Sequence, residues 1–353
     1  MNFCSDNTAG VHPAILDAIG RANREPNAMP YGADDFTAAT GKRLNEIFER
    51  EVTFFAVATG TAANTLGLSA ITPPYGAIYC HEMAHIQMDE CGAPEFYTGG
   101  AKLVPLPGAN GKLYPEPLDR VLKGAGAGVV HHVQPASVSL TQATECGTVY
   151  TSLEVGALSD VARSHKLRLH MDGTRLANAL AHLNCSPAEA TWRAGVDVLS
   201  LGATKNGALA AEAVVVFDKA LAETMPYRRK RGGHLFSKMR FLTAQLDAYL
   251  GNDLWLNNAR HANTQAARLA QGLGALPGVR LLYPVEANEL FPILPLGVVK
   301  ALEAAGFRFY EWPSDEAGPT EQAIRLVTAF STDPAHVDSF LAVAGEAARR
   351  AAA

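Results

Sequence analysis

A lysine closes the small-residue run Leu201-Gly-Ala-Thr-Lys205, and an aspartate closes the apolar run Leu167-Arg-Leu-His-Met-Asp172. One helix-and-strand unit separates the two. An amine and a carboxylate placed in this way match the two demands of pyridoxal phosphate. The amine must bond the cofactor's aldehyde as a Schiff base, and the carboxylate must keep the ring nitrogen protonated so that the ring accepts electrons. Each residue also has an ordinary reading, Asp172 as a helix N-cap and Lys205 as a solvated loop cation. The apolar run on each side of Lys205 weighs against the second, because lysine is seldom set between buried segments without a role. Its small neighbours Ala203, Asn206 and Gly207 leave room for a flat ring.

Other residues extend the same chemistry. Ala58-Thr-Gly60-Thr61-Ala-Ala-Asn64 follows a strand pattern and opens a helix pattern, and backbone N–H groups at a helix start form a phosphate cradle. A plain turn capped by Thr61 is the competing reading, and the downstream Asp/Lys pair favours phosphate. Arg175 sits one helical step beyond Asp172, and Arg325 interrupts the apolar strand Ile324-Arg-Leu-Val327. A charge in such a strand lies at an edge or faces a ligand, and a planar guanidinium suits a carboxylate. His81-Glu82-Met-Ala-His85 matches a zinc-peptidase pattern, which requires a helix and a third ligand. Here the segment follows a strand directly and no third histidine stands at the metzincin spacing, so no metal is expected. His85 is then a flat ring for the pyridine face. The paired His131 and His132, together with the tryptophans, read as core.

The elements that must hold these residues show up as alternating periodicities between Val52 and Phe217. Strand patterns cover 53–57, 77–80, 102–106, 128–133, 138–141, 168–171, 196–200 and 213–217. Several are apolar throughout, as strands covered on both faces of a mostly parallel sheet are. Amphipathic helix patterns fill 61–70, 114–123, 153–165 and 175–183, which makes the region an open α/β sheet. A long helical stretch follows over 234–275. Short strands at 278–283, 289–294, 307–310 and 324–327, then a helix over 334–349, describe a smaller α+β unit. The expected boundaries are 1–245 for an N-terminal segment with the large domain and 246–353 for the small C-terminal domain.

Composition bounds the partners. Charged residues make up 18% of the 353 residues and the net charge is −5, against about 25% charged in ordinary soluble domains. So little charge predicts that part of the surface is hidden in a homo-oligomer. There is no electrostatic case for nucleic acid or an anionic membrane, and Arg228-Arg-Lys-Arg231 is too short to make one. No apolar run approaches the ~20 residues of a membrane span. Five scattered cysteines without a Cys-x-x-Cys fit a reducing compartment, and no signal-peptide pattern is present. A cytoplasmic location is expected.

The motifs together resemble the threonine aldolase family, pyridoxal-phosphate enzymes that cleave β-hydroxy-α-amino acids to glycine and an aldehyde. The resemblance runs through Ser5-Asp6, Tyr31-Gly-Ala-Asp34, Thr59-Gly60-Thr61 with Asn64, and His85 with Glu90. It continues through His170-Met-Asp172-Gly-Thr-Arg175, Leu201-Gly-Ala-Thr-Lys205, Met239-Arg240 and Ile324-Arg325-Leu-Val-Thr. It implies an aspartate-aminotransferase-like fold of type I in a dimer or tetramer with shared active sites. It implies Lys205 as the Schiff-base lysine, Asp172 at the pyridine nitrogen and His85 stacked on the ring. Gly60, Thr61 and, from a neighbouring subunit, Arg240 would hold the phosphate; Ser5, Arg175 and Arg325 would hold the substrate carboxylate. One departure stands out: where many members carry Asn-Thr-His, this chain has Gln142-Ala-Thr-Glu145, which leaves threo/erythro preference open. His85 is the first choice of base for the β-hydroxyl, with stacking as its competing role. The rivals are a β-eliminating lyase or aminotransferase of the same fold, a zinc peptidase through His81, Glu82 and His85, and a non-catalytic interaction protein.

Overall fold

The alternation read between Val52 and Phe217 folds into one seven-stranded sheet in a computed structural model that describes residues 1–352. Its strands are β1 (Thr53–Val57), β2 (Gly76–His81), β3 (Lys102–Leu106), β4 (Gln134–Thr141), β5 (Arg168–Gly173), β6 (Val198–Gly202) and β7 (Glu212–Val216). Their order is β1-β7-β6-β5-β4-β2-β3. The run from β3 to β6 is parallel, and β7 is antiparallel to both of its neighbours. β2, β6 and β7 are buried along their whole length, as the continuous apolar runs require. Each of the four helix patterns forms within two residues of its expected bounds, as Gly60–Ile71, Pro115–Gly124, Ser152–Ser164 and Leu176–Leu183.

Two expectations need correction. Residues 128–133 are an exposed turn, with Val130 91% exposed and His131 and His132 in solvent. Gly126 and Gly128 turn the chain at φ +73° and +83°. The Gln134 side chain then clasps the turn, accepting from Gly128 N at 2.8 Å and donating to Val129 O at 3.0 Å. The strand starts only at Gln134 and absorbs 138–141. The stretch 234–275 is likewise two helices, Arg240–Leu250 and Leu254–Gly274, parted by a turn in which Asn252 and Asp253 take φ of 52° and 54°. Asparagine and aspartate tolerate that left-handed geometry best among residues with a Cβ.

The remaining strands, β8 (Arg280–Leu281), β9 (Glu289–Leu290), β10 (Pro292–Pro295), β11 (Tyr310–Glu311) and β12 (Glu321–Val327), form the smaller sheet. Helices Leu296–Ala304 and Pro334–Ala352 accompany it. Its core includes Leu290, Leu294, Leu326 and Phe340, and also Phe3 from the start of the chain. Phe3 bonds to Arg308 O and Val327 N, both at 2.8 Å, stacks with Phe307 and meets Phe340 edge-on. This anchoring sets Ser5 and Asp6 down beside the larger sheet.

Candidate active site

The carboxyl ends of β2, β4, β5 and β6 lie along one edge of the large sheet, where open α/β sheets gather ligand contacts. From β5 comes Asp172, 2% exposed. Its Oδ1 accepts from Thr174 N at 3.0 Å and Thr174 Oγ1 at 2.6 Å, and its Oδ2 from Asn64 Nδ2 at 2.7 Å. Burial opposes ionisation, but these bonds and the neighbouring His85 overcome it and hold the carboxyl below its ordinary range. Beneath it His170 spans the sheet, bonding Ser139 Oγ at 2.9 Å and Ser200 Oγ at 3.0 Å. Burial lowers the pKa of that ring to about 4, so it locks β4, β5 and β6 in register as a neutral group.

His85 lies past the end of β2 at the start of a four-residue helix. Its Nδ1 bonds Glu90 Oε1 at 2.9 Å, and the same oxygen accepts from Asn64 Nδ2 at 2.8 Å. One amide therefore bridges the two carboxylates around the ring. The Glu90 bond raises the His85 pKa against the effect of burial. With Nδ1 committed to a carboxylate, the neutral ring carries its proton there and leaves Nε2 as the basic nitrogen. Glu145, past the end of β4, accepts from the His85 main-chain N–H at 2.8 Å. Its Oε2 is out of solvent and unpartnered, and burial raises its pKa to about 7. The zinc pattern dissolves here. His81 ends β2 with Nε2 on Gly108 O at 2.9 Å and Nδ1 accepting from Met83 N at 3.1 Å, and no helix carries the two histidines together.

Lys205 follows β6 in a single turn of 3-10 helix. The small residues before it have a steric reason: a Cβ on Gly202 would stand 2.3 Å from the Thr174 carbonyl oxygen, so only glycine lets β6 pass that close. Glu212 at the head of β7 fixes the turn, its Oε2 accepting from Ala203 N at 3.0 Å and its Oε1 from Thr204 N at 3.3 Å. Burial, then the nearby Arg175 charge, lowers the pKa of the Lys205 amine. Lys205, His85, Asn64 and Thr174 line one cavity of about 250 Å³ with Ala58, Thr59, Gly60 and Thr61. Thr59 caps the Gly60–Ile71 helix through Ala62 N at 3.2 Å, so the positive end of that helix opens into the cavity. The orphaned, buried Oδ1 of Asn64 belongs to the same wall. An amine, a flat imidazole and a helix N-terminus around one space, with the ionised Asp172 bonded to its lining residues Asn64 and Thr174, fit pyridoxal phosphate.

The expected carboxylate-binding residues meet, but not as free donors. Arg175 donates from Nε and Nη2 to Asp6 at 2.8 and 3.0 Å and places Nη1 3.0 Å from Glu289 Oε2. Arg325 donates from Nε and Nη2 to Glu289 Oε1 at 3.1 and 2.5 Å. Asp6 is held near a pKa of about 2, with burial overcome by Arg175. Ser5 caps the turn that carries Asp6 through Asn7 N at 3.1 Å. Arg240 stands outside its own chain's cavity, donating to Ala22 O at 3.1 Å.

Glu212, Glu289 and the roles of Asn64 and Glu90 were not read from the sequence. An acid at the head of an apolar strand was the available signal for Glu212 and Glu289, related to the charge within an apolar strand that drew attention to Arg325. For Asn64 no local signal exists, since its role comes from two partners distant in sequence.

Comparison with known proteins agrees with this geometry. Residues 2–294 match the model of the beta-eliminating lyase family. A low specificity L-threonine aldolase of Pseudomonas aeruginosa is 45% identical over 94% of this chain and 93% of its own length. Another from a Pseudomonas species is 41% identical over 93% and 98%. The solved threonine aldolase of Leishmania major superposes with a TM-score of 0.91 at 30% identity, covering 100% of this chain and 99% of that one. The chain belongs to the beta-eliminating lyase family and, within it, groups with the threonine aldolases.

Proposed function

We propose that the protein uses pyridoxal phosphate to cleave L-β-hydroxy-α-amino acids (threonine, allo-threonine or phenylserine) to glycine and an aldehyde. The observation that carries this reading is the meeting of Lys205, the Asn64–Asp172 pair and the Gly60–Ile71 helix start around one cavity. Bound there, the cofactor supplies an aldehyde for amine exchange and an electron-poor ring that takes up the electrons of the breaking Cα–Cβ bond.

The protein's own groups do the rest. Lys205, its amine pKa lowered by burial, would hold the cofactor's aldehyde covalently. Asp172, held ionised, would pair with the ring nitrogen. Gly60 and Thr61 offer backbone N–H groups to the phosphate. Ser5, Arg175 and Arg325 orient the substrate carboxylate, which decides which Cα bond stands perpendicular to the ring. His85 would face the bound ring, and its Nε2 would take the β-hydroxyl proton, directly or through a water.

Arg240 would complete the phosphate site from a neighbouring subunit, and its distance from its own cavity supports a homodimer or homotetramer with shared sites. The five cysteines are all unpaired, in keeping with a cytoplasmic location, and among the described residues no helix is long and apolar enough to cross a membrane. The deciding test is the visible spectrum of the purified protein followed by aldehyde release from threonine and phenylserine. Colourless protein that gains no colour with the cofactor refutes the reading. Elimination or amino transfer on the same scaffold is separated by incubation with glycine and benzaldehyde, from which an aldolase makes phenylserine.

A further inference from the structure

Glu289 heads β9 and is 1% exposed. It lies between the two guanidinium groups assigned to the substrate carboxylate, with Oε1 accepting two bonds from Arg325. Its Oε2 stands 3.0 Å from Arg175 Nη1 without the alignment of a hydrogen bond, so this buried oxygen has no directed partner. The other two donor nitrogens of Arg175 are taken by Asp6, whose Oδ2 also accepts from Asn288 Nδ2 at 3.0 Å. Two cations therefore meet two anions before any ligand arrives. Of the nitrogens of these two arginines, Nη1 of Arg325 has no protein acceptor among the described residues, and Nη1 of Arg175 has only its unaligned contact with Glu289.

We propose that Glu289 is a positioning and affinity-setting residue that competes with the substrate carboxylate for Arg175 and Arg325. The proposal rests on the reading that these arginines receive the amino acid's carboxylate. A carboxylate entering beside Arg325 meets a site of zero net charge with a buried anion behind the cations. Its attraction is weaker than that of an uncompensated arginine pair, because the two Coulomb terms have opposite sign. Weak binding of the carboxylate also lets glycine leave.

Glu289→Gln keeps the oxygen that Arg325 uses and removes the charge. Glycine affinity is measured by calorimetry on the cofactor-loaded wild-type and variant proteins, after thermal melts have established that both are folded. The variant is expected to bind glycine about tenfold more tightly or better, with the KM for phenylserine falling more than kcat does. Equal or weaker glycine binding in the folded variant, or binding to neither protein, overturns the proposal and leaves Glu289 as a scaffold for the arginines. A second arm needs no variant. An unopposed arginine clamp should lose more than about thirtyfold when glycine is replaced by glycinamide. The wild-type protein is expected to lose less than that, and a larger loss overturns the proposal. Wild-type aldehyde release from phenylserine tests the aldolase reading by itself, whereas glycine affinity bears on Glu289 whether or not aldehyde appears.

Discussion

Replacing Asp172 by asparagine should separate the electronic role of the site from its architecture. The native carboxylate is 2% exposed and accepts three bonds, two from Thr174 and one from Asn64. An amide has one acceptor oxygen, so its NH₂ must face either the Thr174 donors or the Asn64 amide. Asn64 could turn its orphaned Oδ1 toward the new donor, but its NH₂ would then leave Glu90, to which it donates at 2.8 Å. Every arrangement strands a buried polar group, at a cost of about 1–3 kcal/mol of stability. The catalytic loss is larger. A carboxylate facing a cation at contact distance contributes about 4 kcal/mol at an effective dielectric near 20, which is roughly a thousandfold in rate. The variant should melt modestly lower, retain its colour because Lys205 still reacts, and release aldehyde from phenylserine about 10³-fold more slowly. Asp172→Ala should lose as much activity, with no amide turned against the surrounding donors. If either loaded variant turns over within about tenfold of wild type, Asp172 does not hold the ring nitrogen.

Lys205→Ala should abolish both the visible absorbance of the bound cofactor and nearly all turnover, and retention of both removes Lys205 from its role. Glu90→Gln leaves His85 Nδ1 an acceptor oxygen but removes the negative charge that strengthens this bond and raises the His85 pKa, so the rise of kcat/KM with pH that reports His85 losing its proton should move to lower pH. A limb that stays in place or moves up excludes His85 as the base. Glu145 binds its proton more tightly when folded, with a pKa of about 7 against an ordinary 4.5. The native state thus keeps a proton that the unfolded chain has released between those values, and stability falls as pH rises through that window. The full penalty, on the order of 3 kcal/mol, is present above about pH 7. Glu145→Gln can turn its NH₂ to the unpartnered Oε2 position and should raise the melting temperature at pH 8 while leaving that at pH 5 unchanged. A variant destabilised equally at both values would show that Glu145 does not titrate in the fold.

The large sheet was legible because strands covered on both faces must be largely apolar, and β6 and β7, buried along their whole length, are apolar but for Ser200, Gly202 and Glu212. The same rule misled at Val129-Val130, where positive-φ glycines turn two valines into solvent; apolarity permits burial without compelling it. Asp172, Lys205 and His85 could be read because each sits just past an apolar run, at the edge where a parallel sheet presents its ligands. Glu289 escaped notice because its meaning depends on β9 pairing with β12, which places Leu290 opposite Leu326 beside Arg325. Two strands of two and seven residues carry no period that would announce that pairing.

The same charge pattern suits Lys205 to the role of reactive amine proposed for it. Each acid around the cavity already has a partner: Asp6 has Arg175, Glu289 has both arginines, Glu90 has His85 and Asn64, Asp172 has Thr174 and Asn64, and Glu212 has two backbone N–H groups. Among the described residues, no ion pair is left for Lys205. A buried ammonium without a counter-charge gives up its proton more readily, and Arg175 pushes in the same direction. Asp6, Glu289 and Asp172 pull the other way, but committed to other partners none of them pairs with the lysine, and burial and Arg175 prevail. Freeing one of them close to Lys205, for example Asp6 by Arg175→Ala, should raise the amine's pKa, and should slow cofactor attachment at neutral pH even though no atom of Lys205 has been changed. Attachment at an undiminished rate in a folded Arg175→Ala protein would show that burial alone governs the amine.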